Sequence, residues 1–177
     1  MKVFVTGVGG QLGHDVINEL TSRGYEAIGS DVVDMVASGV PYVALDITDA
    51  KAVEHVITEI RPDAVVHCAA WTAVDAAEDA DKQEKVKAIN VDGTQNIANA
   101  AKMVDAKMVY ISTDYVFDGQ GTTPWEPDCK AYKPLNVYGQ TKLDGELAVY
   151  HNVDKFFIIR IAWVFGKNGK NFIKTML

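Results

Sequence analysis

A hydroxyl, a phenol and an ammonium stand within one window of this chain, Ser112-Thr113-Asp114-Tyr115-Val116-Phe117 through Pro134-Leu135-Asn136-Val137-Tyr138-Gly139-Gln140-Thr141-Lys142. Thr113, or its neighbour Ser112, can hydrogen-bond a carbonyl oxygen, Tyr138 can give that oxygen a proton, and Lys142 can acidify the phenol. Tyr138 and Lys142 lie four residues apart, so a helix carries both on one face. A free tyrosine titrates near pH ~10, and a neighbouring ammonium favours the phenolate, toward the range where proton transfer is efficient. This set points to carbonyl–alcohol redox chemistry. The spacing alone proves little, because chance placement of this chain's tyrosines and lysines yields it about half the time. Its force comes from position: Ser112-Thr113 ends an apolar strand, and Tyr138 opens the next helix.

A second motif lies far upstream. Gly7, Gly10 and Gly13 in Gly7-Val8-Gly9-Gly10-Gln11-Leu12-Gly13 follow a strand and open a helix. The first glycine supports a tight turn, the second lets backbone approach a pyrophosphate, and the third permits close helix–strand packing. The amides of Gln11 and Leu12 would face phosphate at the positive end of that helix. Asp31 follows Gly13 by 18 residues, near the spacing at which a carboxylate meets the adenosine ribose hydroxyls. A carboxylate there repels a 2′-phosphate, so NADH is favoured over NADPH unless a cation compensates; Asp31 could equally be a turn residue. Asp46 and Ile47, after a third strand, could flank the adenine, and Asp46 could equally be a loop or cap residue.

These motifs need a scaffold that brings them together. Short β-rich runs alternate with helical patterns: Lys2–Thr6, a helix over 11–22, strands at Ala27–Ser30 and Tyr42–Leu45, then a helix over Ala50–Ile60. Asp49 caps that helix and Pro62 stops it. Ala64–Cys68 is the fourth strand, residues 83–104 have helical periodicity, Met108–Ser112 is the fifth strand and Phe156–Ile161 the sixth. Strands that are apolar throughout are buried on both faces, as in a parallel sheet, and right-handed βαβ crossovers connect them. The expected fold is a doubly wound α/β parallel sheet of Rossmann type over residues 1–177. Asn171–Leu177 has amphipathic helical spacing without a stop signal, which suggests a truncated chain.

Composition narrows the partners. The 177 residues carry a net charge of −7, which argues against nucleic acid or an anionic membrane. Cys68 and Cys129 are too few for a disulfide framework, and no secretory signal is legible before the first strand, so a cytoplasmic setting is expected. Phe156–Phe165, the most apolar run, is too short to span a bilayer. His67 and Cys68 end a strand and read as core rather than as metal ligands. The run Asp75–Glu84 reads as a solvated acidic segment, though Asp75 is close to the strand edge. Trp71 and Trp163 each follow a strand and could line a pocket or simply pack.

Several segments together resemble the extended short-chain dehydrogenase/reductases, and among them the dTDP-4-dehydrorhamnose reductases. They are Thr6–Gly13, Arg61-Pro62-Asp63, Ala69-Ala70-Trp71-Thr72-Ala73-Val74-Asp75, Ser112–Phe117, Pro134–Lys142 and Asn171–Leu177. The resemblance implies reduction of a dTDP-linked 4-keto sugar with NADH or NADPH. It implies Tyr138 as proton donor, Thr113 as its hydroxyl partner and Lys142 as the residue that holds ribose and tunes Tyr138. It places Gly10, Gln11, Leu12, Asp31, Asp46, Ile47, Ala69, Ala70, Trp71 and Thr72 along the cofactor, and Thr113, Asp114 and Trp163 at the sugar. It also implies a C-terminal substrate lobe beyond Leu177 and leaves room for a homodimer. Some members bind magnesium with a carboxylate near position 15 and partners from that lobe; Asp15 has the right chemistry, but no metal is expected without those partners. His67-Cys68 departs from the Asn-Ala pair common there. Sugar-nucleotide epimerases and dehydratases share the scaffold, as does a non-catalytic regulatory subunit, the methionine adenosyltransferase β subunit, and both alternatives stay open.

Overall fold

The computed structural model describes residues 1–33, 39–169 and 171–177. Among these, six strands form one parallel sheet: β1 (Lys2–Thr6), β2 (Glu26–Asp31), β3 (Tyr42–Ala44), β4 (Ala64–His67), β5 (Lys107–Thr113) and β6 (Phe156–Ile161). Their spatial order is β3-β2-β1-β4-β5-β6. The chain winds outward one way from β1 and the other way from β4, so a crevice opens between the C-terminal ends of these two strands. The doubly wound Rossmann-type fold expected from the sequence is the fold observed.

Alternate residues of the inner strands feed two cores. Val3, Val5, Ala27 and Ala64 pack with Val8 and with Ile17 of α1 (Gln11–Ser22). Phe4, Val65, Met108 and Tyr110 face the other way. They meet Val53 and Ile57 of α2 (Ala50–Ile60), Ile97 and Ala101 of α4 (Thr94–Met103), and Val149 of α5 (Val137–Asn152). Burial on both faces explains why these strands are apolar throughout. The outer edge differs: Phe156 and Ile158 of β6 pack on the second core, while Phe157 stays 71% exposed.

Local chemistry sets the ends of the elements. The Asp49 side chain accepts from the amides of Lys51 and Ala52, capping α2 at the expected residue. Asn136 caps α5 by accepting from the Gly139 amide at 2.7 Å, which the sequence reading did not anticipate. Gly139 lets this helix start close to the turn after β5, since a Cβ there would stand 2.4 Å from the Tyr115 carbonyl oxygen.

The helical periodicity over 83–104 resolves into three pieces: α3 (Gln83–Lys87), a π-turn over Ala88–Gly93, and α4. Asn90 and Thr94 are polar yet fully buried on the inner stripe of this segment, so they need partners. Asn90 accepts from the Trp71 amide at 2.8 Å and donates to the Trp71 carbonyl and the Thr141 hydroxyl. These contacts to distant parts of the chain fall at the π-turn, a distortion often found at functional sites. The last helix, α6 (Phe172–Met176), is capped by Asn171. No helix among the described residues is long and apolar enough to cross a membrane.

Candidate active site

One cavity of about 850 Å³ opens at the crevice between β1 and β4. Its first wall is largely backbone. Gly7 leaves β1 at φ 73°, and a Cβ on it would stand 2.6 Å from the Ala69 nitrogen. The glycine loop therefore touches the segment that leaves β4. A Cβ on Gly13 would stand 2.1 Å from the Gly7 carbonyl oxygen, so only glycine lets α1 begin this close to β1. No side chain caps α1, whose N-cap is Gly10, and its first-turn amides are left for a ligand.

Asp31 closes that wall. Its carboxylate accepts from the Gly9 amide at 2.9 Å and the Val32 amide at 2.7 Å, tying the glycine loop to the end of β2. Each oxygen retains a lone pair for a ribose hydroxyl. Asp46 accepts from both the amide and the hydroxyl of Thr48, so it does serve its loop while lining the cavity. Ile47 also borders the cavity but belongs mainly to the core, and its carbonyl accepts from Asn96.

The opposite wall is made of side chains. Thr113 ends β5, and Tyr138 and Lys142 stand on the first turns of α5. Tyr138 is 9% exposed and Lys142 3%. The Lys142 ammonium donates to the Ile111 carbonyl at 2.7 Å. Burial pushes it down to about 7, partly offset by Glu146 and Cys68. The Tyr138 phenol is raised above its ordinary value, chiefly by burial, with Thr113 pulling the other way. The expectation that Lys142 acidifies Tyr138 therefore fails in this geometry. The ammonium is engaged by a backbone carbonyl, and desolvation of the phenolate dominates. A phenol that keeps its proton at neutral pH is the form a proton donor needs. The Thr113 hydroxyl donates to Asp114 and accepts from the Tyr115 amide, so it begins the turn after β5.

Behind this wall lies a buried relay. Thr94 donates to the Asn90 carbonyl at 2.8 Å, so its oxygen accepts from Nε2–H of His67 at 3.1 Å. Nδ1 of His67 then accepts from Thr6 at 2.7 Å, and the Ala69 amide donates to Thr6. The geometry assigns His67 a single neutral tautomer. Burial and the Lys142 charge agree, pushing its pKa down to about 3.

All the residues expected to serve catalysis, cofactor or sugar line this one cavity. Gly7, Gly10, Gln11, Leu12 and Gly13 lie on one side and Thr113, Tyr138 and Lys142 on the other. Asp31, Asp46, Ile47, Ala69, Ala70, Trp71 and Thr72 border the rest, with Asp114 and Trp163 at the mouth. Trp163 is 78% exposed at φ 53°, a left-handed conformation unusual for so bulky a residue. Asp75 is exposed and lies outside the cavity, at the start of a 3₁₀ turn. Ser112, the alternative hydroxyl beside Thr113, lines it too, as do Ser30 and Lys85, which no sequence motif marks. Ser30 and Ser112 carry buried hydroxyls without a partner among the described residues. Uncapped helix amides, a carboxylate with lone pairs to spare, two orphaned hydroxyls and a buried ammonium suit the phosphates and sugars of a dinucleotide.

Fold and cavity together define the class: a Rossmann-type α/β protein with a dinucleotide cradle at its topological switch point. The chain belongs to the RmlD substrate binding domain family, whose model matches residues 1–177. It is 40% identical over its whole length to dTDP-4-dehydrorhamnose reductase of Salmonella typhimurium. It spans 56% of that relative. Among solved structures it resembles a dTDP-4-dehydrorhamnose reductase of Clostridium acetobutylicum, with 41% identity, a TM-score of 0.88 and coverage of 99% of this chain and 58% of that one. The Bacillus anthracis dTDP-4-dehydrorhamnose reductase, solved in complex with NADP, matches at 40% identity and a TM-score of 0.85, again over 99% and 58%.

Proposed function

We propose that this chain supplies the cofactor-binding and proton-donating half of an NAD(P)H-dependent reductase. The reaction is reduction of the 4-keto group of dTDP-4-dehydro-L-rhamnose to give dTDP-L-rhamnose. The observation that carries this reading is the facing of Thr113, Tyr138 and Lys142 against the glycine loop across one cavity. The relatives named as dTDP-4-dehydrorhamnose reductases at about 40% identity point to the sugar nucleotide.

A reduced nicotinamide supplies the hydride in such chemistry. The first-turn amides of α1 bind the pyrophosphate, and Asp31 accepts from the adenosine ribose, which favours NADH over NADPH. Lys142 donates to the second ribose. Thr113 hydrogen-bonds the keto oxygen, and Tyr138 passes its phenolic proton to that oxygen as charge develops. Asp114 and Trp163, at the mouth, border the sugar. The acidic charge and the free thiols of Cys68 and Cys129 suit a reducing cytoplasmic setting.

The test is NADH oxidation by the encoded protein with dTDP-4-dehydro-L-rhamnose. Tyr138→Phe should lower kcat by about 10²–10⁴-fold while NADH still binds. Unchanged turnover in that variant would sink the assignment. Conversion of sugar nucleotide without net NADH consumption would favour an epimerase or dehydratase, and NADH binding without turnover of any keto sugar a regulatory subunit.

A further inference from the structure

We propose that Tyr110 is a positioning residue for Lys142, holding its ammonium against an aromatic face so that the lysine remains available to a ligand in the cavity. The inference rests on the reading of Lys142 as the residue that meets the cofactor.

Lys142 is buried, and among the described residues no carboxylate is hydrogen-bonded to it. Glu146, one helical turn further along α5, is engaged by Arg160 through two contacts of 2.7 and 2.8 Å. Among the described residues, no carboxylate forms an ion pair with Lys142. An ammonium has three N–H donors, and one goes to the Ile111 carbonyl. The Nζ atom stands 4.1 Å from the centroid of the Tyr110 ring, well within reach of the negative face of the π system. A ring attracts the cation without claiming its donors as a bidentate carboxylate would.

Tyr110 touches the lysine at both ends, because its hydroxyl also donates to the Lys142 backbone carbonyl at 3.4 Å. Its place is prepared by the sequence of α5. A Cβ on Gly145 would stand 2.3 Å from the Tyr110 hydroxyl and 2.8 Å from the Asn90 carbonyl, so only glycine leaves room for the phenol. His67 stacks with the same ring at 5.8 Å and 24°, and His67 is itself fixed by Thr6 and Thr94. The ring is thus held from the helix side and through β4.

The titratable groups around Lys142 come from every neighbouring element. Glu146 and Tyr138 stand on α5, Tyr110 on β5, His67 and Cys68 at the end of β4, and Lys85 of α3 lines the same cavity. Tyr110 and His67 stay neutral at physiological pH, because burial raises the first and lowers the second. Burial leaves Lys142 titrating at about 7, so a modest change in the ring's attraction alters how much of it is charged.

The experiment follows the Lys142 titration by NMR in the encoded protein carrying ¹³C-labelled lysine. Tyr110→Phe keeps the ring and should leave the midpoint in place. Tyr110→Leu removes it and should lower the midpoint by about one pH unit. Fluorinated phenylalanines at position 110 keep the shape of the ring while draining its face. The midpoint should fall stepwise with each added fluorine, and this series decides the matter if the leucine variant does not fold. A midpoint that stays flat across the fluorinated series would overturn the proposal. NADH affinity at pH 8, read on the same samples, should weaken in the same order. If NADH fails to bind even the wild-type protein, the reductase reading falls, while the titration series still tests Tyr110.

Discussion

The two walls of the cavity do comparable jobs with different materials. The glycine-loop wall works through close backbone approach, with Gly7 against Ala69 and Gly13 against Gly7, and one carboxylate, Asp31, tying the loop down. The α5 wall works through buried side chains. Tyr138 and Lys142 depend on Tyr110, Ile111, Glu146 and Arg160, which come from two strands and a helix far apart in sequence. Backbone donors at a helix end need no titratable group and tolerate water. Buried charges must each be matched, so that wall carries both the chemistry and the electrostatic risk.

Mutations that break each wall should fail differently. Arg160→Met leaves Glu146 buried without its partner and should cost about 3–5 kcal/mol of stability, measured by denaturant unfolding. A loss below about 1 kcal/mol would mean that the carboxylate finds water or another cation. Gly13→Ala should cost about 3 kcal/mol by forcing α1 off β1, and NADH binding should disappear with it. Retained NADH binding would show that the loop can shift without losing its amides.

Lys142 gives the α5 wall a pH dependence that the glycine wall lacks. Its value falls from the usual 10.5 to about 7 on folding. Below about pH 7 both states hold the proton, and the cost of burying the charge is fully present. Between about 7 and 10.5 the unfolded chain binds the extra proton, so this group's contribution to stability rises with pH. Cofactor binding should run the other way. NADH affinity is expected to fall by up to about tenfold per pH unit above 7, as the lysine loses its proton, until binding to the neutral form takes over, and Lys142→Met should flatten that profile. The smallest effect belongs to the glycine wall's carboxylate. Asp31→Asn keeps an acceptor for the Gly9 amide but removes the charge, and should narrow the NADH over NADPH preference several-fold, on the order of 1 kcal/mol. Equal Kd ratios before and after would remove Asp31 from cofactor selection.

Much of this was legible before the fold. Asp49 and the limits of α2, the bounds of β6, and the glycine loop between β1 and α1 all follow from local rules of capping, strand composition and turn chemistry. The break in the 83–104 helix was not legible, because Asn90 and Thr94 keep helical spacing and reveal their burial only through Trp71 and His67. Asn136, a strong cap, is hidden in the sequence by the prolines before it, which give that stretch the composition of a loop. The direction of the Tyr138 shift is hidden from the sequence for a related reason. Spacing puts Lys142 on the same helix face, but spacing says nothing of the Ile111 carbonyl that captures the ammonium or of the burial that raises the phenol.

By itself, then, the sequence determined the order of the strands and main helices, the parallel sheet and the glycine loop, and it put forward Thr113, Tyr138 and Lys142 as candidates, because each of those rests on local patterns along the chain. Only the tertiary structure decided which groups bear charge and where they point. It set Tyr110 beneath Lys142, Arg160 on Glu146 and Asn90 on Trp71, contacts between residues 14 to 32 positions apart that join β5, β6 and the π-turn to the rest of the site. Desolvation and pairing are properties of the packed interior, and no local pattern encodes them.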